Sequence, residues 1–435
     1  MMHCPTNALR IRGGKVILHK NDWCIDCGEC LIVCPHHAVY AVQDDFNHIF
    51  DYKCRVALLP ASFIGQFSKR RREEDIFDAL YALGFTHIYQ VEVTAELIRD
   101  EMQRRISEAA EKPVISVFCP SVVRLIQIRF PSLVDHLLTL KTPVGATALL
   151  YRKQLEDEGY APEDIGIFYV TPCAAKIAEI KSDTDNMRQI QGVINMDFLY
   201  NKVWYVLSNR SQYPVEEGDI PLPLTECEMC WSLPGGEAGC FEGRNLAIDE
   251  MHNVIDFLEQ LENTTAIQNV NFLELRACDQ GCVGGVLTPA NRFLAAERIR
   301  HRAKKYIGPS HLSNTVSAEN IQMLRNNIEA REIEARIKHV FDGTRQEVLH
   351  KMERVEAIVK MLPGIDCGAC GAPSCHAMAE DIMRGEAKLK NCLLLMRTME
   401  INNVMQSENV NNIIEDIWGK ERLLKTTQIN TSNEN

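Results

Sequence analysis

The sequence predicts an α/β fold: a body of parallel sheets flanked by helices, with a small cysteine-rich module before it and a small helical one after it. Two observations carry this. Between residues 52 and 310, short apolar runs alternate with amphipathic helical stretches, the pattern of strands joined by crossover helices. The 17 cysteines of the 435-residue chain are also clustered, most densely before residue 35 and after residue 366.

Four apolar runs stand out as strands: Arg55–Leu59, Pro113–Phe118, Ile165–Val170 and Asn271–Leu275. The expected modules are 1–48 (cluster-binding), 52–310 (the body), 311–355 (a charged helical connector), 356–410 (a second cluster-binding domain) and 411–435 (a helix and a tail). The tail from Thr426 is polar and lacks apolar period, so disorder is expected there. A helix near Val404–Leu424, apolar at Val410, Ile413, Ile414 and Ile417, is expected to dock a separate partner.

A composition of 46% hydrophobic and 24% charged residues is that of an ordinary globular protein, and a net charge of −12 argues against nucleic acid or an anionic membrane as partner. No apolar run reaches the roughly 18 residues of a membrane span. The N-terminus shows no basic segment followed by an apolar one, so a cytoplasmic, oxygen-poor location is expected. In that setting, short Cys-x-x-Cys spacings read as metal sites rather than disulfides. All-thiolate sites suit iron–sulfur clusters or zinc.

The run Cys24-Ile-Asp-Cys27-Gly-Glu-Cys30-Leu-Ile-Val-Cys34-Pro35 resembles the bacterial ferredoxin signature. In two-cluster ferredoxins the fourth cysteine of each run ligates the other cluster. Cys24, Cys27 and Cys30 should therefore share one 4Fe–4S cluster with Cys4 of the isolated Cys4-Pro5 pair, leaving Cys34 unpaired. The first half-motif is expected to be missing through loss or a late start. A zinc knuckle is the rival reading.

Within the body, three strand-like runs end in cysteine. Phe118-Cys119-Pro120 follows the second, Thr171-Pro172-Cys173-Ala-Ala-Lys176 the third, and Ala277-Cys278-x3-Cys282-x-Gly284-Gly285 the fourth. Ligands of open α/β sheets bind beyond the carboxyl ends of the strands, so these cysteines are expected to converge. At these residues, in this order, the chain resembles the large subunit of the iron-only (di-iron) hydrogenases, most closely their divergent, sensory-like branch. The resemblance implies that Cys119, Cys173, Cys278 and Cys282 hold a 4Fe–4S cluster, with Cys282 bridging to a di-iron unit that carries CO and cyanide. It implies that Lys176 donates to a cyanide. It also exposes departures. Phe118 stands where catalytic members carry a proton-relaying cysteine, Val144 where they carry a glutamine, Thr171 where they carry a methionine, and Ala61, beside Ser62, where a serine faces cyanide. Trp231 matches a pocket aromatic.

Cys227-x-x-Cys230, with Cys240 nearby, is open between a further metal site, a substitute proton relay and plain partly buried cysteines. Cys54 is expected in the core. After residue 360, Cys367-x2-Cys370-x4-Cys375-x16-Cys392, rich in glycine, resembles the 4Fe–4S domain of corrinoid iron–sulfur proteins and of some membrane electron-transfer subunits. Zinc is again the rival, and His376 is expected to be exposed or behind the ligands. The sequence thus predicts a multi-cluster iron–sulfur protein that binds H2 or turns it over slowly, alongside a redox partner such as a ferredoxin or a signalling or oxidoreductase subunit. A non-catalytic cluster carrier or electron-transfer subunit is the alternative.

Overall fold

The computed structural model describes residues 2–19, 21–182, 187–213, 218–263, 269–305, 312–336, 341, 343–402 and 407–420. The tail from Thr426, and the two ends Val404 and Leu424 of the expected docking helix, lie outside these residues. The chain forms two compact units: Met1–Cys24 with Ile337–Asn435, and Ile25–Arg336.

The first unit joins the start of the chain to its end. Strands β1 (Leu9–Arg12) and β2 (Lys15–Leu18) form an antiparallel hairpin. Its turn, Gly13-Gly14, has φ of 58° and 73°, the left-handed pair that a two-residue hairpin needs. A Cβ on Gly14 would lie 2.4 Å from the Trp418 carbonyl oxygen, while the Gly13 and Gly14 N–H groups donate to the carbonyls of Asp416 and Ile417. Those residues end the helix Ser407–Trp418, which buries Val410, Ile413 and Ile417 against Met396. The apolar face expected to receive a partner is therefore covered by this chain. The span of the expected connector is largely helical among its described residues. It comprises a helix Ala318–Asn326, an extended stretch whose Arg336 N–H donates to the Gln127 carbonyl, and a separate capped helix Arg345–Met361.

The second unit holds two parallel sheets. In one the order is β4 (His87–Gln90), β3 (Cys54–Leu59), β6 (Ile165–Thr171), β7 (Gly192–Asn195); in the other it is β5 (Val114–Ile115), β9 (Phe272–Leu275), β8 (Asn245–Ile248). All seven residues of β6 and all four of β9 are buried, as expected for strands covered on both faces by helices. Cys54 is fully buried in this core. The run Pro113–Phe118 yields only two strand residues, and the rest turns toward the carboxyl edge of its sheet. Among the described residues, no helix is long and apolar enough to cross a membrane.

Candidate functional site: a four-cysteine cavity

Each of the three motifs leaves a strand and enters a turn or helix. Cys119 is the N-cap of the helix Pro120–Arg129, with proline at its first position. Cys173 is the N-cap of the helix Ala174–Lys181, and its N–H is held by the Thr171 hydroxyl at 3.1 Å. Helix N-termini favour thiolate through their unpaired N–H groups. The third motif turns through Gln280 and Gly281, at φ of 64° and 61°. Gly285 lies so close to the second motif that a Cβ would stand 2.5 Å from the Pro172 carbonyl oxygen, and the Leu287 N–H donates to that same oxygen. On the other side the Cys282 N–H donates to the Ser232 carbonyl at 3.0 Å.

The result is one small cavity lined by Cys119, Cys173, Cys278 and Cys282 together with Phe118, Lys176 and Arg276. Burial, then the neighbouring Cys119 and Cys282, push the Cys173 thiol up to about 12. Burial and the same crowding push Cys278 well up as well. Thiols crowded in this way are stabilised as thiolates by bound cations, so the donor set fits an iron–sulfur cluster. The site contains two cationic side chains. Lys176 is 2% exposed, donates to the Phe118 carbonyl at 3.3 Å, and stands 5.0 Å from the Phe118 ring centre. It is thus a pocket residue and not a solvated helix residue.

Sequence reasoning missed Arg276. Burial works against its charge, but Glu274 and Glu237 outweigh that effect and hold it protonated. Glu274 is itself gripped by the N–H groups of Gly235, Glu237 and Ala238. Glu237 accepts from the Ser116 hydroxyl at 2.8 Å, and burial pushes it up to about 7. A charged residue inside the short strand Phe-Leu-Glu-Leu, followed by arginine two residues before Cys278 of the third motif, is the signal that was available.

Val144 is buried in the apolar core around β3 and β6 and does not line the cavity. The Ala61 N–H donates to Glu92. Trp231 is fully buried, beside Phe118 and Glu237 in an adjoining small cavity. Cys227 forms a disulfide with Cys240, thirteen residues on, which takes these two thiols out of the metal and proton-relay readings, while Cys230 of the Cys-x-x-Cys pair is a free thiol. The helix Glu226–Cys230 and the turn Ala238–Cys240 meet there, and none of Cys227, Cys230 and Cys240 lines the four-cysteine cavity.

The N-terminal thiols divide between the units. Cys4 and Cys24 belong to the first, Cys27 and Cys30 to the second. In the first, the Ala8 N–H donates to the Cys4 sulfur, and the Thr6 hydroxyl donates to the carbonyl of Trp23, next to Cys24. In the second, Gly28 at φ 80° presses against the Val286 side chain, one residue beyond the third motif. Asp26 pairs with Arg124 of the first motif's helix. Cys34 repeats the local geometry of Cys4: the Ala38 N–H donates to its sulfur, and N–H groups of Ala38 and His36 lower its pKa.

In the first unit, Cys367, Cys370, Cys375 and Cys392 line a second small cavity. Asp366 accepts from the Cys375 N–H at 2.6 Å and so fixes the loop. Burial, then Cys392 and Cys367, push Cys370 up, so this donor set also fits a cluster. His376 is half exposed and faces Glu356 and Glu380.

Two cysteine-lined cavities and a ferredoxin-type run define a multi-cluster iron–sulfur protein with a hydrogenase-like body. Comparison with known proteins agrees. Residues 53–201 match the family described as iron only hydrogenase large subunit, C-terminal domain; residues 19–40 match the 4Fe-4S binding domain, and residues 362–394 an Fe-S cluster family. The chain is 24% identical over 294 residues to the NADP-reducing hydrogenase subunit HndD of Solidesulfovibrio fructosivorans, covering 60% of this chain and 49% of the relative. Over 38 residues, 9% of this chain and 20% of the relative, it is 50% identical to a subunit of the ion-translocating oxidoreductase complex of Rhodobacter capsulatus. Among solved structures, the FeFe-hydrogenase HydA1 from Chlamydomonas reinhardtii aligns with a TM-score of 0.49 at 17% identity, over 64% of this chain and 94% of that one. The matches span half or less of the curated relatives' lengths.

Proposed function

We propose that this protein binds H2, or interconverts it slowly with protons and electrons, in a sensory or electron-transfer role. The observation that carries the reading is the single cavity shared by the four cysteines of three separate motifs and the buried Lys176. A cubane on Cys119, Cys173, Cys278 and Cys282, bridged through Cys282 to a di-iron unit, would supply the H2-binding metal. Lys176 would hold an anionic ligand of that unit by a charge-assisted hydrogen bond. The loop of Cys27 and Cys30, packed on the third motif, supports an electron route toward the cavity. Cys4 and Cys24 would complete that cluster. The C-terminal cluster would exchange electrons with a redox partner such as a ferredoxin or a signalling or oxidoreductase subunit.

Phe118 cannot carry a proton, and the loss of a positioned proton-transfer group costs about 10²–10⁴-fold in rate. Turnover is therefore slow. The same residue favours a second reading, a cluster carrier or plain electron-transfer subunit with no di-iron unit. Anaerobic co-expression with hydrogenase maturation enzymes, followed by infrared spectroscopy, separates the two. CO and cyanide stretching bands are expected; protein with its full 4Fe–4S iron and no such bands would leave only the second reading.

A further inference from the structure

The departure at Phe118 has a structural counterpart across the cavity. The Arg276 guanidinium lies 4.0 Å from the centre of the Phe118 ring, close enough for a strong cation–π contact in a desolvated site. Two of its three nitrogens are satisfied. Nε donates to Glu274 at 3.1 Å, and Nη2 donates to the Trp231 carbonyl at 3.0 Å and to Glu237 at 3.1 Å. Nη1 is buried and has no hydrogen-bond partner among the described residues. The residue is 2% exposed and lines the four-cysteine cavity. A buried donor left unpaired is costly, the more so when charged, so a buried guanidinium in the wall of the cavity with one open corner implies an acceptor within that cavity.

We infer that Arg276 is a second cationic positioning residue of this cavity, whose Nη1 donates to a sulfur of the iron–sulfur group held there, the Cys282 thiolate or an inorganic sulfide. The inference rests on the reading that the four cysteines hold a cluster. Phe118 is then more than a lost relay: its ring is the shelf that orients the guanidinium, and Glu274 and Glu237 clamp it from behind. A positive charge and an N–H donor at a cluster sulfur stabilise the more negative, reduced cluster and raise its potential. Lys176 stands over the same ring, so the cavity holds two cations against four thiolates.

The test uses the full chain, reconstituted anaerobically with iron and sulfide and titrated under EPR detection. The component lost in Cys282→Ser identifies the cluster of this cavity. Arg276→Met should move that component, and no other, to lower potential. At the wild-type midpoint the reduced-to-oxidised ratio should fall about tenfold, which for one electron is about 59 mV. The double variant Arg276→Met with Glu237→Gln guards against misfolding from an unpaired carboxylate, and should shift in the same direction. Arg276→Lys keeps the charge and loses the fork, so it should lose an exchangeable-proton coupling to the cluster in ENDOR spectra. An unmoved potential in both Met variants, at unchanged circular dichroism and iron content, would overturn the inference. If Cys282→Ser loses no iron at all, the cluster reading itself has failed.

Discussion

Arg10 and Asp381, separated by 371 positions in sequence, meet in a fully buried two-pronged ion pair, with Nε and Nη2 donating at 2.7 and 2.9 Å. Arg12 and Arg384 reach the same carboxylate at 2.8 and 2.6 Å. Burial alone would raise Asp381, but the hydrogen bonds and charge of Arg10, with the charge of Arg384, hold it below the usual carboxylate range. The pair fastens the N-terminal hairpin to the helix that begins at Cys375, and the Ile11 N–H bonds the Gly371 carbonyl inside the C-terminal cysteine loop.

Removing one partner of such a buried pair typically costs about 3–5 kcal/mol. Asp381→Asn should therefore destabilise the first unit by about that much in chemical denaturation. The C-terminal cluster should also be released at lower denaturant than in wild type, as followed by visible absorbance. A variant with unchanged denaturation and iron retention would contradict the role assigned to the pair.

Cys4→Ser should lose the iron of one 4Fe–4S cluster, whereas Cys34→Ser should keep it. The two thiols share a local geometry, an N–H from four residues ahead at 3.3 Å. The difference must therefore come from the other three ligands and not from either turn. Equal iron content in the two variants would refute the assignment.

Phe118→Cys should speed hydrogen–deuterium exchange by protein carrying the di-iron unit, within the roughly 10²–10⁴-fold that a positioned proton donor supplies. Because Arg276 rests on the Phe118 ring, the gain should be larger in the double variant with Arg276→Met. Gas-phase mass spectrometry of HD and D2 reads the rate, and no gain in either variant would remove the relay argument.

Glu92 is fully buried, accepts the Ala61 N–H at 2.9 Å, and is pushed by burial from 4.5 up to about 8. Between those values the folded protein binds a proton that the unfolded chain has released. Stability from this group is therefore full below about pH 4.5 and falls as pH rises to about 8, by a few kcal/mol overall. Glu92→Gln keeps an acceptor for the Ala61 N–H and should flatten that fall, so that its stability advantage over wild type grows from pH 5 to pH 8. Parallel urea curves at the two pH values would show the advantage, and a constant difference would count against a shifted Glu92.

The sequence showed the largely buried strands β3, β6 and β9, because a strand covered on both faces is mostly apolar along its length. It did not show β4, β7 and β8, whose four-residue segments His-Ile-Tyr-Gln, Gly-Val-Ile-Asn and Asn-Leu-Ala-Ile are too short to carry a clear pattern. Nor did it divide the parallel strands into two sheets. Pairing is a choice among distant partners, and no local spacing encodes it.

What the sequence by itself determined is the chemistry: which thiols exist, that three strands end in them, and that Cys4, Cys34 and Cys392 stand at cluster-like spacings. Covalent spacing limits which sulfurs can reach one another within a short loop, and short loops carry those motifs. What only the tertiary structure decided is the surroundings. It decided that Arg276 lies over Phe118, that Cys227 pairs with Cys240, that the apolar face of the helix Ser407–Trp418 is already covered, and that the first hairpin belongs with the last helices. These depend on long-range packing, where a buried charge or an apolar stripe has many possible partners and burial energy selects one.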